Sequence, residues 1–287
     1  MEVKVKGHSG CQVDIIYEEN SLFVYKTTYN KDYMERLMKQ AEKQKIASHS
    51  EYPHIRIPQI YRIDENLVSV SIKMEYVYSK NFIEYFEAAG IEQISYFVDA
   101  LKLFLEREIK ESSLELISSD ILKRKFEDVC ARINLNPLLS NDSDIQLLLN
   151  KSLPLFREMN DLFIPIGRCH GDLTFSNILF NGNNYYLIDF LDSFVESPLL
   201  DIVKIRQDSA YLWSQLMYID EYDKIRLQII SNKIDQEITG YFSKYDWYNQ
   251  FYDIFQLMNF LRILQYAREK EIINFLKNVI GEIIDEF

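Results

Sequence analysis

One stretch constrains this chain more than any other: Cys169-His170-Gly171-Asp172-Leu173-Thr174-Phe175-Ser176-Asn177-Ile178-Leu179, followed by Tyr186-Leu187-Ile188-Asp189-Phe190. It sets a histidine, two aspartates and an asparagine on two short apolar strands joined by a turn. The pattern is H-x-D, four residues, N, eleven residues, D. With four histidines in 287 residues, a chance match to so long a pattern would be rare. Asp172 can accept a proton from an attacking hydroxyl, while Asn177 and Asp189 offer hard oxygen ligands to Mg²⁺. One group to orient a nucleophile and two to hold metal on phosphates is what phosphoryl transfer requires.

This segment resembles the catalytic loop and metal-binding strand of the aminoglycoside phosphotransferase and choline kinase family, small-molecule kinases with a protein-kinase-like fold. The family reads H-G-D or H-N-D where protein kinases read H-R-D, and Gly171 falls on that side. The resemblance is specific over about thirty residues and diffuse elsewhere. It implies an α+β, bilobal fold. A small antiparallel sheet with one helix would form a nucleotide-binding lobe over residues 1–78, and a larger, mainly helical lobe would carry catalysis and substrate over 79–287.

Bulk properties fit that expectation without demanding it. The length allows a large core, and 47% apolar with 26% charged residues is ordinary for a globular chain. The net charge of −12 argues against a nucleic-acid backbone as partner. Cys11, Cys130 and Cys169 are scattered and lack C-x-x-C spacing, so neither a disulfide frame nor a zinc site is expected. Cys169 reads as a small buried residue ending a strand. No apolar run approaches the length of a membrane span, and the cytoplasm is the expected compartment.

Along the chain, Val3 and Val5, then Val13, Ile15 and Tyr17, then Leu22–Lys26 read as three strands. Helical spacing follows over Lys31–Ala47, and strands return near Gln59–Ile63 and Leu67–Glu75. Beyond Tyr78 the periodicity predicts helices over Phe82–Ala89, Ile91–Lys110, Leu114–Ile133 and Asp144–Leu162. After the catalytic strands, helix resumes from about Leu199 to the end.

A lysine ending an apolar strand, as Lys26 does, is by itself commonly just solvated. Beside the catalytic loop, the resemblance assigns Lys26 to the α- and β-phosphates of a nucleotide. It also calls for an acid on the next helix to hold that lysine: Glu42, with Glu35 as the alternative seven residues away and hence on nearly the same face, a surface acid being the other reading of either. The Gly7-His8-Ser9-Gly10 turn would cover the phosphates, with Ser9 and the Gly10 backbone as donors, although a flexible hairpin reads equally well. Met74-Glu75-Tyr76-Val77 resembles the hinge against which a nucleotide base lies, with Glu75 and Val77 supplying backbone groups. ATP is the expected donor, with GTP left open, and Mg²⁺ the expected metal.

Asp172 is the expected catalytic base, its bland reading being a turn aspartate. His170 is expected to support the loop rather than transfer protons. Asp201 looks like the family acid that braces the catalytic loop, a plain N-cap being the alternative. Asp192 and Glu196 follow the metal strand and either face an amine or sugar hydroxyl or are simply solvated.

Two departures from protein kinases bear on the acceptor. Thr174 stands where they keep a lysine two residues after the catalytic aspartate. The metal triplet is Asp189-Phe190-Leu191, and only eleven residues separate Asp189 from Asp201, too few for a peptide-seating segment. The expected acceptor is therefore a hydroxyl of a small molecule: a sugar, polyol or amino alcohol, as in surface-polysaccharide precursors. An aminoglycoside, or a nucleotide-binding pseudokinase acting as an interaction module, is the alternative.

Overall fold

A computed structural model describes residues 2–6 and 11–287, with side chains from Cys11 onward. The expected phosphate-covering residues Ser9 and Gly10 lie outside the described residues. In chain order the first elements are β1 (Glu2–Lys6), β2 (Gln12–Glu18), β3 (Ser21–Thr28), α1 (Lys31–Ser48), β4 (Ile55–Arg56), β5 (Ile60–Glu65), β6 (Val70–Glu75), α2 (Phe82–Ala88) and α3 (Ile91–Glu111). Then come β7 (Ser113–Ile117), α4 (Asp120–Leu135), α5 (Pro137–Ser140), α6 (Ser143–Arg157), β8 (Leu162–Ile166), β9 (Ile178–Asn181) and β10 (Asn184–Leu187). The remainder is helical: α7 (Pro198–Ser209), α8 (Trp213–Leu216), α9 (Lys224–Phe242), α10 (Asp246–Leu264) and α11 (Lys270–Asp285). None of the described helices is long and apolar enough to cross a membrane.

The chain divides into two compact units. The first takes in the described residues up to Arg107, with His170–Ser193 and Asp220–Ile230. Its antiparallel sheet has the order β1-β2-β3-β6-β5. The β2–β3 turn is Glu19-Asn20, both at positive φ (50° and 64°), the two-residue loop whose twist matches the flanking strands. Asn30 caps α1 by accepting the Asp32 amide at 3.0 Å. That helix then buries Leu37 and Ala41 against Ile60, Val70 and Ile72 of the sheet.

The same unit contains a second, three-stranded sheet of order β4-β10-β9. Its β9–β10 hairpin turns at Gly182, whose φ of 59° favours glycine. Phe180 of β9 packs on Tyr85, Phe86 and Phe97, with ring centroids 4.3, 5.9 and 5.1 Å away. Phe175 joins the same cluster through Phe82, Phe86 and Phe97. The unit thus holds α2, most of α3, β9 and β10 with the N-terminal sheet, where the sequence places a lobe boundary near Tyr78.

The second unit, Glu108–Cys169 with Phe194–Ile219 and Ser231–Phe287, is mainly helical. Two expected helices are shorter than their periodicity implied. Residues 113–117 form β7, which pairs antiparallel with β8, so the helix expected from Leu114 begins at Asp120 and the one expected to reach Leu162 ends at Arg157. Leu114-Glu115-Leu116 alternates with period two, and its partner strand lies some fifty residues away. Local helix spacing cannot register such a pairing.

Candidate active site

The H-x-D segment is built as a loop pinned at many points. Leu173 and Phe175 are fully buried and anchor it in the aromatic core. Between them Thr174 is also buried, its hydroxyl 2.9 Å from that of Ser176, where protein kinases would present a lysine. A single turn of 3-10 helix, Phe175–Asn177, then feeds β9. The Asn177 amide nitrogen donates to the Asp172 carbonyl at 2.8 Å and to Asp172 Oδ2 at 2.9 Å. This orients the carboxylate and leaves Asn177 Oδ1 as the side chain's acceptor.

His170 is completely buried, and both ring nitrogens meet backbone. Nε2 lies 2.8 Å from the Ile188 carbonyl, and Nδ1 accepts the Asp172 amide at 3.2 Å. These partners fix the neutral tautomer with its proton on Nε2. Burial lowers its pKa to about 4, against the opposing pull of the Asp172 charge. His170 thus ties the loop to the metal-strand candidate without carrying charge.

Gly171 explains the H-G-D spelling. Its φ is +87°, and a Cβ there would stand 2.2 Å from the Leu191 carbonyl oxygen. The Leu191 amide in turn donates to the His170 carbonyl at 3.0 Å, and the Ile188 amide to the Asn177 carbonyl at 3.0 Å. Between these two tethers sits Asp189, a non-glycine residue at φ 60°. Backbone in that region is strained and persists where its surroundings hold it.

Lys26 is buried on β3, and its ammonium lies 2.9 Å from Asp189 Oδ1. Burial alone would lower the lysine's pKa, but the charge and hydrogen bond of Asp189 outweigh it and raise the value above the ordinary one. The partner expected on α1 is not there. Glu42 is exposed, and Glu35 is exposed and paired with Lys39 at 2.7 Å. The helix turns Leu37, Gln40, Ala41, Gln44 and Ala47 inward, so both acids fall on its outer side. The ion pair anticipated between Lys26 and Glu42 is replaced by the one with Asp189.

The remaining expected residues are placed as follows. The Glu75 amide is used by the Gln59 carbonyl, and its carboxylate accepts the Gln59 amide at 3.1 Å, so the side chain braces the β5–β6 edge. Val77 lies just beyond β6 on irregular backbone. Asp192 is held by Arg36 of α1 at 3.0 Å and is not a bare carboxylate. In the second unit, Glu196 accepts the Cys169 thiol at 3.3 Å. Asp201 is fully buried in the first turn of α7, where the cap is Ser197, whose hydroxyl accepts the Leu199 amide at 3.2 Å.

Two residues of the first unit were not anticipated. Lys43 Nζ donates to the Leu191 carbonyl at 2.6 Å, and Arg36 reaches Asp192. They lie seven residues apart on α1, each immediately after one of the two glutamates that were considered. The spacing that drew attention to the acids holds equally for the cations, but nothing local says which pair faces inward.

The fold and this arrangement resemble those of small-molecule kinases with a protein-kinase-like fold. The sequence model of the phosphotransferase enzyme family matches residues 143–227, a span that includes His170, Asp172, Asn177, Asp189 and Asp201. A search of curated protein sequences finds no match. Among solved structures, the chain is similar to aminoglycoside phosphotransferase APH(2")-IIia in complex with GDP and kanamycin: 13% identity, TM-score 0.67, covering 100% of this chain and 93% of that one. It is also similar to the amicoumacin kinase hAmiN, bound to AMP-PNP, Ca²⁺ and amicoumacin, at 13% identity and TM-score 0.62, covering 99% and 88%. Aminoglycoside phosphotransferase APH(4)-Ia matches at 7% identity and TM-score 0.63, covering 99% and 93%. At such identities the structural likeness is one of fold, and the resemblance read from the H-x-D segment holds.

Proposed function

We propose that the protein transfers the γ-phosphoryl group of a nucleoside triphosphate to a hydroxyl of a small neutral or cationic molecule. The observation that carries this reading is the pairing of Asp172 with Asn177 beside the Lys26–Asp189 ion pair. Asp172 would orient the acceptor hydroxyl and take its proton, while Lys26 would turn from Asp189 to the nucleotide phosphates. Thr174 carries no charge, so backbone donors and Lys26 would meet the phosphoryl charge from the protein side.

The donor set fits Mg²⁺. Asn177 Oδ1 is left as an acceptor once the amide nitrogen is committed to Asp172, and Asp189 is half exposed with only Oδ1 engaged by Lys26. Among the described residues no three His, Cys, Asp or Glu side chains converge as a self-contained cage. Mg²⁺ is usually held by one or two protein oxygens with substrate phosphates and water completing the shell. Bound there, it would neutralise charge on the β- and γ-phosphates.

The related structures contain both adenine and guanine nucleotides, which keeps ATP and GTP in play as donors. They also contain antibiotics rich in hydroxyl and amino groups, and an aminoglycoside-like acceptor suits this chain as well as a sugar, polyol or amino alcohol does. A coupled ADP- or GDP-release screen with Mg²⁺ across these classes tests the reading. Nucleotide binding without turnover of any acceptor would favour the interaction-module alternative.

A further inference from the structure

We propose that Lys43 is a positioning residue: by holding the Leu191 carbonyl it keeps Asp189 in the backbone conformation from which that carboxylate can bind metal. The inference rests on the phosphotransferase reading above and concerns how this chain keeps its metal strand in place. Protein kinases place a glycine after the phenylalanine of this triplet. Here Leu191 stands at that position, beside an aspartate at φ 60°. An L-residue in that region relaxes unless the next few residues are tied down.

Leu191 is tied at both its amide and its carbonyl. Leu191 N donates to His170 O, and Leu191 O lies against Gly171 and accepts from Lys43 Nζ at 2.6 Å. The contact is charge-assisted, and the lysine is half-buried, so solvent screens it less than a surface pair. One helical repeat earlier, Arg36 engages Asp192 at 3.0 Å, but both side chains are nearly half exposed and the pair is a weaker support. Lys43 also lies near the buried His170, where its charge adds to burial in keeping the imidazole neutral. Helix α1 therefore acts on the segment after Asp189 through cations, where an acid directed at Lys26 had been expected.

The test compares wild type, K43M and K43R. Mn²⁺ affinity in the presence of ADP is read by electron paramagnetic resonance, and amide exchange over residues 188–193 is read without metal. K43M should weaken Mn²⁺ binding about tenfold, in the range found when partners that orient metal ligands are lost. It should also accelerate exchange in that segment, lower kcat more than it changes the KM for acceptor, and leave global melting near wild type. K43R restores a donor and should recover most of the loss. Wild-type Mn²⁺ affinity and exchange in K43M would overturn the inference, even with a lowered kcat, since that pattern belongs to a direct contact with the phosphoryl group. Poor folding of K43M together with failure of K43R to recover Mn²⁺ affinity and slow exchange would also overturn it, by reducing Lys43 to a packing role. If wild type binds no Mn²⁺ with ADP, the phosphotransferase reading falls first and this inference with it.

Discussion

The side-chain amide of Asn177 grips Asp172 twice, at the backbone carbonyl and at Oδ2, so the candidate metal ligand and the candidate base form one hydrogen-bonded unit. Replacing Asp172 by Asn should therefore leave the loop in place, because an amide oxygen can still accept from Asn177. The proton acceptor is lost. Turnover should fall by about 10²–10⁴-fold while nucleotide affinity stays near wild type. Near-wild-type turnover, measured by ADP release, would remove Asp172 from the base role.

Asp189 is bound to a buried lysine, so removing it has two consequences. Asp189→Ala should abolish the Mg²⁺-dependent part of nucleotide binding and stop turnover. It should also lower stability, because Lys26 would keep its burial without its counter-charge. With Asp189 half exposed, about 1–3 kcal/mol is expected, below the cost of breaking a fully buried pair. Calorimetric titration with Mg²⁺-ATP and denaturant melts report the two effects separately. Equal Mg²⁺-ATP binding by both proteins would count against the metal assignment.

Gly171 should resist even the smallest substitution. Gly171→Ala must adopt φ +87° and also place a methyl 2.2 Å from a backbone oxygen, so the loop or the Leu191 strand has to move. We expect a loss of about 2 kcal/mol or more, seen as a melting shift of several degrees, together with loss of turnover. An alanine variant with wild-type melting and kcat would show that the left-handed turn is not required.

The parts of this site that the sequence made legible are those whose chemistry depends on neighbours in the chain. His170, Asp172 and Asn177 lie within eight residues, and their turn residues and apolar anchors travel with them. Lys26 was legible because it follows four apolar residues, Leu22–Tyr25. What stayed hidden depends on which side of a helix faces inward. On α1 the outward Glu35 and Glu42 and the neighbouring cations Arg36 and Lys43 differ in phase by one residue. The buried Gln40 and Gln44, which set that phase, carry no hydrophobic signal. The β7–β8 pairing was hidden for a related reason, since its partners lie some fifty residues apart in the chain with α4, α5 and α6 between them.

Acid should act on the fold through His170. Burial holds its folded pKa at about 4, below the ordinary value of 6.5, so the folded state prefers the neutral ring. Above pH 6.5 both folded and unfolded forms are neutral, and the full contribution to stability is present. As pH falls from 6.5 toward 4, the unfolded chain gains a proton that the folded one refuses, and roughly 3 kcal/mol is lost. Urea melts from pH 7.5 to 4 should show wild type losing stability faster than His170→Gln across that window. Parallel curves would mean that the ring is not held neutral.

The acceptor's charge is the remaining discriminator. An anionic acceptor would bring its charge beside Asp172, which the proposed mechanism places at the reacting hydroxyl. At a few ångströms and a surface-like dielectric, each uncompensated like-charge contact costs on the order of a few kcal/mol. Compensation would have to come from cations, and on α1 Arg36 is already held by Asp192 and Lys43 by the Leu191 carbonyl. We therefore expect turnover of neutral sugars, polyols, amino alcohols or aminoglycosides, and poor turnover of sugar phosphates and sugar acids, in one ADP-release screen at fixed ionic strength. A best substrate that is an anion would overturn this, and would mean that Arg36 exchanges Asp192 for the acceptor; Asp192→Asn should then raise the rate on that anion.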